Sequence, residues 1–361
     1  KELVARVRQH PQIKFVAQAT VSAISGYVGN FTTTLTVGGK EPQSLVVNHG
    51  VTVLATGGKP HRPTGYGYGQ SDRVITQMEL EARLVRAKWP PKSLKQVVMI
   101  QCVGSRGEDL AYCSRVCCGQ ALKNSIRLKT ARPELQITIF YRDMRAYGFM
   151  EDDYRKAREL GVIFLRYQPE NPPRVDIGSG GKVTVNGFDP LLREEVRFNP
   201  DLLVLSTGIV PEDLTELARM LKVPITADKF LLEAHVKLQP VDLPVDGTYV
   251  CGLAHAPKGM EESIAQAQAA AGRACQPLAR GFITPAPIVS RIDPETCIGC
   301  GACESFCPYK AIEIYREGKL RKARTITASC KGCGICAARC PTLAIDMGRF
   351  TFAAIMAQIH S

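Results

Sequence analysis

Cysteines are the residues with the clearest chemistry in this 361-residue sequence, which contains 14 of them. Eight lie in one stretch that holds two successive copies of the pattern C-x2-C-x2-C-x3-C-P. The copies consist of Cys297, Cys300, Cys303 and Cys307, followed by Pro308, and of Cys330, Cys333, Cys336 and Cys340, followed by Pro341. Thiolates at these spacings wrap one face of an iron–sulfur cubane. The chemistry predicted for this stretch is the transfer of single electrons.

The two copies are expected to exchange one ligand. In two-cluster ferredoxins the fourth cysteine of each run binds the cluster of the other run. We therefore assign one [4Fe–4S] cluster to Cys297, Cys300, Cys303 and Cys340, and the second to Cys307, Cys330, Cys333 and Cys336. Two zinc sites or a disulfide framework are the alternatives. Zinc sites usually use paired C-x2-C hooks with longer gaps, which this pattern lacks.

Four further cysteines lie in a region that is predicted to be a βαβ unit. The pattern favours a strand over 94–102, a helix over 114–130 and a strand over 135–141. Where a dinucleotide fold carries its glycine fingerprint, this sequence places Cys102, Cys113, Cys117 and Cys118. We interpret the region as a nucleotide fold that has lost its nicotinamide nucleotide and gained a metal centre. A group of buried or redox-active thiols is the alternative.

Several strand ends carry glycines that are typical of a flavin site. The buried strand over 51–55 ends in Thr56, Gly57 and Gly58, and this stretch resembles the second half of the FAD-binding domain of two-dinucleotide-fold flavoproteins. A second buried strand, over 202–205, leads into a similar Thr-Gly, and a third, over 248–254, leads through a loop into an alanine-rich helix whose positive end can face an anionic group. The candidate cofactor contacts are Thr56, Gly57, Gly58, Thr207, Gly208, Gly252, His255 and Lys258.

Lys258 is the one candidate for a chemical role beside the flavin. It could hydrogen-bond the isoalloxazine ring and tune its potential, or it could be an ordinary surface lysine. No other cysteine lies at a metal-motif spacing from Cys251 or Cys275, so we expect both to be small core residues.

The first half of an FAD-binding domain has no counterpart in the sequence. No G-x-G-x-x-G follows a predicted strand upstream of residue 51, and the glycine-rich segment 65–69 lacks both the spacing and the strand. We expect either that the chain is a fragment or that the dinucleotide half lies on another polypeptide.

Composition is ordinary for a globular protein, with 45% hydrophobic and 22% charged residues. The formal net charge is +12, but three clusters of charge about −2 each would lower it to roughly +6, so the charge is a weak argument for nucleic acid. The basic run of Lys319, Arg321, Lys322 and Arg324 is expected to be a solvated loop or a docking patch for an acidic redox partner. The absence of a long apolar run and the metal-type cysteines favour a cytoplasmic protein without a membrane span.

These patterns predict six segments. They are a partial FAD-binding domain over 1–66, a connector over 67–92, a nucleotide-binding-like domain with a [4Fe–4S] cluster over 93–205, a second FAD segment over 206–285, a 2[4Fe–4S] ferredoxin domain over 286–349 and a C-terminal helix over 350–361. The fold class is therefore α/β, a thioredoxin-reductase-like two-dinucleotide-fold flavoprotein followed by an α+β ferredoxin domain.

With these motifs in view, the chain resembles the family of heterodisulfide reductase A subunits (HdrA) over nearly its whole length. Besides the terminal cysteine runs, the motifs are GYVGNF at 26–31, QCVGSR at 101–106, YCSRVCC at 112–118, YRDMRAYG at 141–148, GVIF at 161–164 and AHAPK at 254–258. The resemblance implies that Cys102, Cys113, Cys117 and Cys118 ligate a third [4Fe–4S] cluster.

The resemblance also implies a role and partners. Members of the family hold FAD between chains of clusters, and the flavin divides an electron pair between two routes, which is flavin-based electron bifurcation or its reverse. The expected partners are the other subunits of such a complex (HdrB/HdrC-like, MvhD-like or a ferredoxin) and a chain with the missing N-terminal half. The chain departs from the family at its beginning, where the N-terminal domain, its glycine fingerprint and an inserted ferredoxin are absent.

Two other functions are the alternatives. A non-flavin iron–sulfur scaffold would conduct electrons between subunits through its clusters. An NAD(P)H-dependent flavin oxidoreductase would need the glycine fingerprint that the middle domain lacks.

Overall fold

The computed structural model describes residues 2–39, 41–86, 89–107, 110–284 and 288–360. Its strands are β1 (Ala19–Tyr27), β2 (Asn30–Val37), β3 (Gln43–His49), β4 (Thr52–Leu54), β5 (Gly58–Pro60), β6 (Val74–Thr76), β7 (Gln96–Val103), β8 (Gln136–Tyr141), β9 (Ile163–Arg166), β10 (Arg174–Ile177), β11 (Val183–Asp189), β12 (Glu194–Phe198), β13 (Leu202–Thr207), β14 (Ile209–Pro211), β15 (Thr248–Val250), β16 (Ser290–Ile292), β17 (Ile312–Glu317), β18 (Leu320–Thr325) and β19 (Ile345–Met347). Its α-helices are α1 (Glu2–Gln9), α2 (Gln77–Leu84), α3 (Cys117–Ala131), α4 (Met150–Glu159), α5 (Thr215–Leu221), α6 (Met260–Arg280), α7 (Ala302–Phe306), α8 (Ile335–Ala338) and α9 (Phe352–Ile359).

The chain divides into two compact units. The first consists of residues 1–55, 213–251 and 265–361, and the second of residues 56–212 and 252–264.

The second unit is built on a parallel sheet of five strands in the order β6-β13-β7-β8-β9. The sequences of β7 and β13 are almost continuously apolar because both faces of the sheet are covered. One face packs on α2, α3 and α4 through Leu80, Leu122 and Ala157. The other face packs on the antiparallel sheet β10-β11-β12, where the absence of a side chain at Gly187 leaves room for the ring of Phe140. The predicted βαβ unit is confirmed as β7, α3 and β8.

The first unit contains an antiparallel sheet, β1-β2-β3, and a parallel pair, β4 and β15. Its C-terminal part forms two antiparallel pairs, β16 with β19 and β17 with β18, together with the short helices α7 and α8. Each of these helices starts after a glycine with positive φ, Gly301 and Gly334, which are equivalent positions of the two cysteine runs. The repeat that is visible in the sequence is therefore a repeat in structure.

Some predictions about local structure are wrong. Three residues of the basic run, Arg321, Lys322 and Arg324, lie on strand β18 of a hairpin and not in a loop, and Lys319 lies in the turn before this strand. The strand predicted over 248–254 ends at Val250 and continues as a single 3-10 turn. Cys275 is exposed on α6, although Cys251 is buried as expected. The boundary predicted at 285–286 lies outside the described residues.

None of the described helices combines the length and the apolar character that a crossing of the bilayer requires.

Candidate metal centres

The first run of cysteines surrounds a small cavity together with one cysteine of the second run. Cys297, Cys300, Cys303 and Cys340 line this cavity. Gly299 takes a positive φ of 66° there, and a Cβ at this position would overlap the backbone carbonyl of Arg321 on β18. Glycine is thus required where the cysteine loop passes closely under the hairpin.

A second small cavity has the reciprocal composition. It is lined by Cys307, Cys330, Cys333 and Cys336. Gly332 corresponds to Gly299, with a φ of 68° and the carbonyl of Ile288 where a Cβ would lie. The structure therefore brings together the two sets that the spacing predicts, each with the fourth cysteine of the other run. Their ligation of iron stays a prediction.

The thiols of this region receive hydrogen bonds mainly from the backbone. The N–H groups of Ala311 and Ala344, four residues after the last cysteine of each run, donate to Cys307 Sγ at 3.2 Å and to Cys340 Sγ at 3.3 Å. Burial acts to raise the pKa of Cys340, but hydrogen bonds from the Thr342 hydroxyl and from backbone N–H groups lower it overall. Backbone donors of this kind stabilise a thiolate and therefore suit a metal ligand.

The four cysteines of the middle region come together at one junction of the parallel sheet. Cys102 lies at the end of β7 with a φ of 64°, and Cys117 and Cys118 form the first turn of α3. Burial, and then the neighbouring thiols of the group, raise the pKa of Cys117 to about 12. Burial also raises the pKa of Cys118 to about 11, with further contributions from Cys102 and Cys113. Four neighbouring thiols, two of them buried and two half-buried, form a candidate cluster site.

Two serines and two glycines shape the loop that holds these thiols. Ser105 and Ser114 hydrogen-bond each other at 3.0 Å, and Ser114 Oγ accepts from the backbone N–H of Ile209 at 2.8 Å. A Cβ on Gly208 would overlap both hydroxyls, and a Cβ on Gly104 would overlap the ring of His61. The glycine after Thr207, which was predicted to contact a flavin, is thus already required by the packing of the cysteine loop.

Arginines surround the middle site, and the sequence reasoning missed them. Arg106 Nη2 donates to Asp143 Oδ2 at 2.7 Å. Burial raises the pKa of Cys102, and the positive charges of Arg106 and Arg142 act against this rise. Arg142 Nη1 donates to the carbonyl of Arg106 at 2.6 Å. Arg145 lies close enough to Cys118 to act against the rise of its pKa. The signal was present in the QCVGSR and YRDMRAYG motifs, but a motif does not show which side chains face each other.

The predicted flavin contacts all lie in the same unit as the middle cysteines. Gly58 begins β5, which pairs with β14, and a Cβ on Gly58 would crowd Val210 and Leu253. Gly57 has a φ of 83° and open space at its Cβ position, and Thr56 precedes it. Segments 56–58, 209–211 and 252–254 are therefore neighbours, as a shared cofactor surface requires.

Lys258 is 8% exposed, so the alternative of a surface lysine is wrong. Its Nζ donates to the carbonyl of Gly252 at 2.9 Å and lies 3.1 Å from Nδ1 of His255. Two residues further on, α6 begins, and Glu262 in its first turn pairs with Arg115 of the cysteine loop at 2.5 Å. The first turn of α6 is thus linked by an ion pair to the loop that carries the middle cysteines.

Among the described residues, no three His, Cys, Asp or Glu side chains meet closely enough to bind one metal ion between them. A cubane differs from a single ion because its four thiolates bind four different irons.

Comparisons with known proteins agree with this geometry. Residues 290–347 match the family model of the 4Fe-4S dicluster domain. The chain is 38% identical over 297 residues to HdrA of the H(2):CoB-CoM heterodisulfide,ferredoxin reductase of Methanothermobacter thermautotrophicus, covering 76% of this chain and 44% of that protein. It is 40% identical over 356 residues to an HdrA-like protein of Archaeoglobus profundus, covering 89% and 50%.

Solved structures with similarity to the chain include a flavoprotein disulfide reductase and a thioredoxin reductase. The HOCl-induced flavoprotein disulfide reductase RclA from Escherichia coli has a TM-score of 0.48 and 12% identity, over 81% of this chain and 57% of that one. The thioredoxin reductase of T. acidophilum has a TM-score of 0.43 and 16% identity, over 74% of each chain. The chain spans about half the length of the curated relatives that it matches.

The fold class predicted from the sequence is confirmed, as α/β with a dicluster ferredoxin domain. The resemblance carried by the motifs is confirmed as well: over about half of their length, this chain is homologous to the heterodisulfide reductase A subunits.

Proposed function

We propose that this chain is an FAD- and iron–sulfur-containing electron-transfer subunit of a heterodisulfide-reductase-like complex, and thus part of an oxidoreductase. The observation that carries the proposal is the grouping of twelve cysteines into three sets of four, two around the paired cavities and one at the end of β7. A chain with three such sets is organised to pass electrons over a distance.

The residues around each set fit a [4Fe–4S] cluster. Cys297, Cys300, Cys303 and Cys340 would hold one, Cys307, Cys330, Cys333 and Cys336 the second, and Cys102, Cys113, Cys117 and Cys118 the third. When bound, the clusters would exchange single electrons and FAD would exchange electron pairs. The backbone N–H groups of Ala311 and Ala344 would hold the sulfur of their cysteine in the charged form.

The fit to FAD rests on the surface formed by segments 56–58, 209–211 and 252–258. Lys258 is fixed there by Gly252 and His255, and its ammonium group would stabilise negative charge on a bound flavin. The first turn of the 21-residue helix α6 adds a positive helix end, which Glu261 and Glu262 partly oppose, although Glu262 is paired with Arg115. Together these groups favour an electron-rich ring system at this surface.

The partners follow from the same proposal. We infer that the chain passes electrons to other subunits of a heterodisulfide-reductase-like complex and takes part in flavin-based electron bifurcation or its reverse. Free cysteines at metal spacing suit a reducing compartment, so we place the complex in the cytoplasm.

Iron and flavin per chain, measured after anoxic purification of the complex from its host, test the proposal. We expect about twelve irons and one FAD. Cys117→Ser and Cys336→Ser should each reduce the iron to about eight per chain, since each removes one ligand of one cluster. Cys275→Ser is the matched control, because Cys275 is exposed and belongs to no set.

The outcomes separate the parts of the proposal. About eight irons in the wild-type protein, unchanged by Cys117→Ser, would show that the middle cysteines are structural thiols.

One observation favours a second candidate, a cluster scaffold without flavin. Among the described residues, the sheet that contains β4 and β15 has only these two strands. Twelve irons without FAD in the complex would support this candidate. Oxidation of NAD(P)H by the complex, which neither proposal expects, would instead indicate a pyridine-nucleotide-dependent flavin oxidoreductase.

A further inference from the structure

Arg106 lies between the cysteines of the middle site and the carboxylate of Asp143. Its Nη2 donates to Asp143 Oδ2 at 2.7 Å, and its guanidinium group lies close enough to Cys102 for the positive charge to act on that thiol. The backbone of Arg106 has a φ of 61°, and its carbonyl accepts a hydrogen bond from Arg142 at 2.6 Å. The residue is thus held at both its main chain and its guanidinium group, with about a fifth of the side chain exposed.

The charges around the four thiols are mostly positive. Arg106 and Arg142 both act on Cys102, and Arg145 acts on Cys118. Asp143 brings the opposing negative charge, and it is shared with Arg166 at 3.3 Å. The backbone carbonyl of Asp143 also lies 3.8 Å from Cys118 Sγ, so the carboxylate belongs to a residue in contact with the site.

This arrangement matches the charge of a cluster with four thiolates, which is about −2 when oxidised and one unit more negative when reduced. A positive charge close to a ligand sulfur stabilises the reduced form more than the oxidised form, because the reduced cluster is the more negative one. Asp143 opposes this effect through its own charge. It also lowers the freedom of the guanidinium group, which keeps the positive charge close to the site.

We propose that Arg106 is the positioning residue that sets the reduction potential of a [4Fe–4S] cluster at Cys102, Cys113, Cys117 and Cys118, with Asp143 acting in the opposite direction. The inference rests on the proposed function, because it requires the third cluster. It assigns to the arginine of the QCVGSR motif a role that is separate from ligation.

The test is an EPR-monitored redox titration of the purified complex and its variants, with iron content measured in each. Arg106→Gln should shift the midpoint of the middle cluster to a more negative potential, and Arg106→Lys should shift it less. Asp143→Asn should shift it to a more positive potential. Arg155→Gln is the control, because it removes the same charge from the exposed face of α4, where Arg155 pairs with Asp152.

Opposite shifts in the Arg106 and Asp143 variants, with twelve irons retained, support the inference. A midpoint that does not move in Arg106→Gln, or that moves in the same direction in both variants, overturns it. If Arg106→Gln fails to load the cluster, Arg106→Lys and Asp143→Asn still decide the sign. Eight irons in the wild-type protein would instead contradict the proposed function, so the two failures are distinguishable.

Discussion

The middle cysteine site and the C-terminal ferredoxin region present thiols in different ways. The middle site is attached to a parallel sheet whose core includes Leu80, Met99 and Leu122, all fully buried, and charged side chains surround its thiols. In the ferredoxin region two of the five buried core residues are themselves cysteines, Cys303 and Cys336. Its sulfur atoms receive hydrogen bonds mainly from the backbone.

The difference indicates what stabilises each region. A large sheet core supports its loop without a metal, and side chains are then free to adjust the charge at the site. A small core that contains the ligands depends on the metal for folding. We therefore expect the middle region to be a stable scaffold with a tuned site and the ferredoxin region to be stabilised by its clusters.

Removal of the metal is expected to have the largest effect. After chelation of iron, limited proteolysis should cut residues 290–347 about tenfold faster or more, while residues 96–207 stay protected. The physical reason is that the ferredoxin core loses the bonds to Cys303 and Cys336, whereas the sheet keeps its apolar core. Mass spectrometry of the fragments measures the rates, with the untreated complex as control. Equal acceleration in both regions would contradict the comparison.

Replacement of a glycine by alanine should also lower the free energy of unfolding by different amounts in the two regions. Gly299→Ala should lower the free energy of unfolding by about 3 kcal/mol and reduce the retention of iron, because the new Cβ meets the backbone carbonyl of Arg321 at positive φ. Gly104→Ala should have a smaller effect, because the obstacle is the side chain of His61, which can rotate.

The matched control is Gly318→Ala in the turn of the β17–β18 hairpin. Gly318 has a similar φ of 62° but open space at its Cβ position, so the expected cost is only about 1 kcal/mol. Urea unfolding followed by tryptic protection measures all three variants. A cost at Gly318 equal to that at Gly299 would show that backbone strain, and not the contact with Arg321, governs this loop.

The loading of iron should depend on pH more steeply in the middle site. Burial raises the pKa of Cys117 to about 12 and that of Cys118 to about 11, so both thiols are protonated near pH 8 in the metal-free protein. Each must release a proton when iron binds, and a higher pH therefore favours loading. In the ferredoxin region burial also raises the pKa of Cys303 and that of Cys336, but by less than at Cys117. Burial acts in the same direction on Cys340, but hydrogen bonds lower its pKa overall.

Reconstitution of the metal-free complex between pH 7 and 9, followed by EPR of the separate clusters, checks this expectation. Occupancy of the middle cluster should increase more with pH than occupancy of the ferredoxin pair. Parallel curves for all three clusters would show that the burial of Cys117 does not limit assembly. Cys275→Ser again serves as the control, since it leaves every cluster ligand in place.

The smallest effect is expected at the start of α2, within the scaffold of the middle site. Thr76 and Glu79 form a capping box, in which the Thr76 side chain accepts from the backbone N–H of Glu79 and the Glu79 carboxylate accepts from the backbone N–H of Thr76 at 2.6 Å. Thr76→Ala should cost about 1 kcal/mol in unfolding free energy without loss of iron. Thr76→Ser keeps the cap and is the control. A loss of iron in Thr76→Ala would show that the scaffold and the metal site are not independent.

Much of the candidate site could be predicted because its parts are close in sequence. The two runs of four cysteines, their exchange of the fourth ligand and the βαβ unit around Cys102 and Cys117 all follow from short spacings and apolar patterns. Within a few residues, chain geometry alone restricts where the thiols can point. The same locality explains why the repeat of Gly301 and Gly334 is visible in both sequence and structure.

Only the tertiary structure decided which distant residues meet. Arg106 and Asp143 are 37 residues apart, and Arg115 and Glu262 are 147 apart. Parallel pairing of β7 with β8 brings the ends of both strands to one edge of the sheet, so Arg106 and Asp143, which follow them, meet. The burial of Lys258 and the exposure of Cys275 likewise depend on which faces the neighbouring elements cover. The sequence by itself determined which cysteines are the candidate ligands and how they are spaced, and the packing of the sheet determined the charges around them, because a charge acts through space and not along the chain.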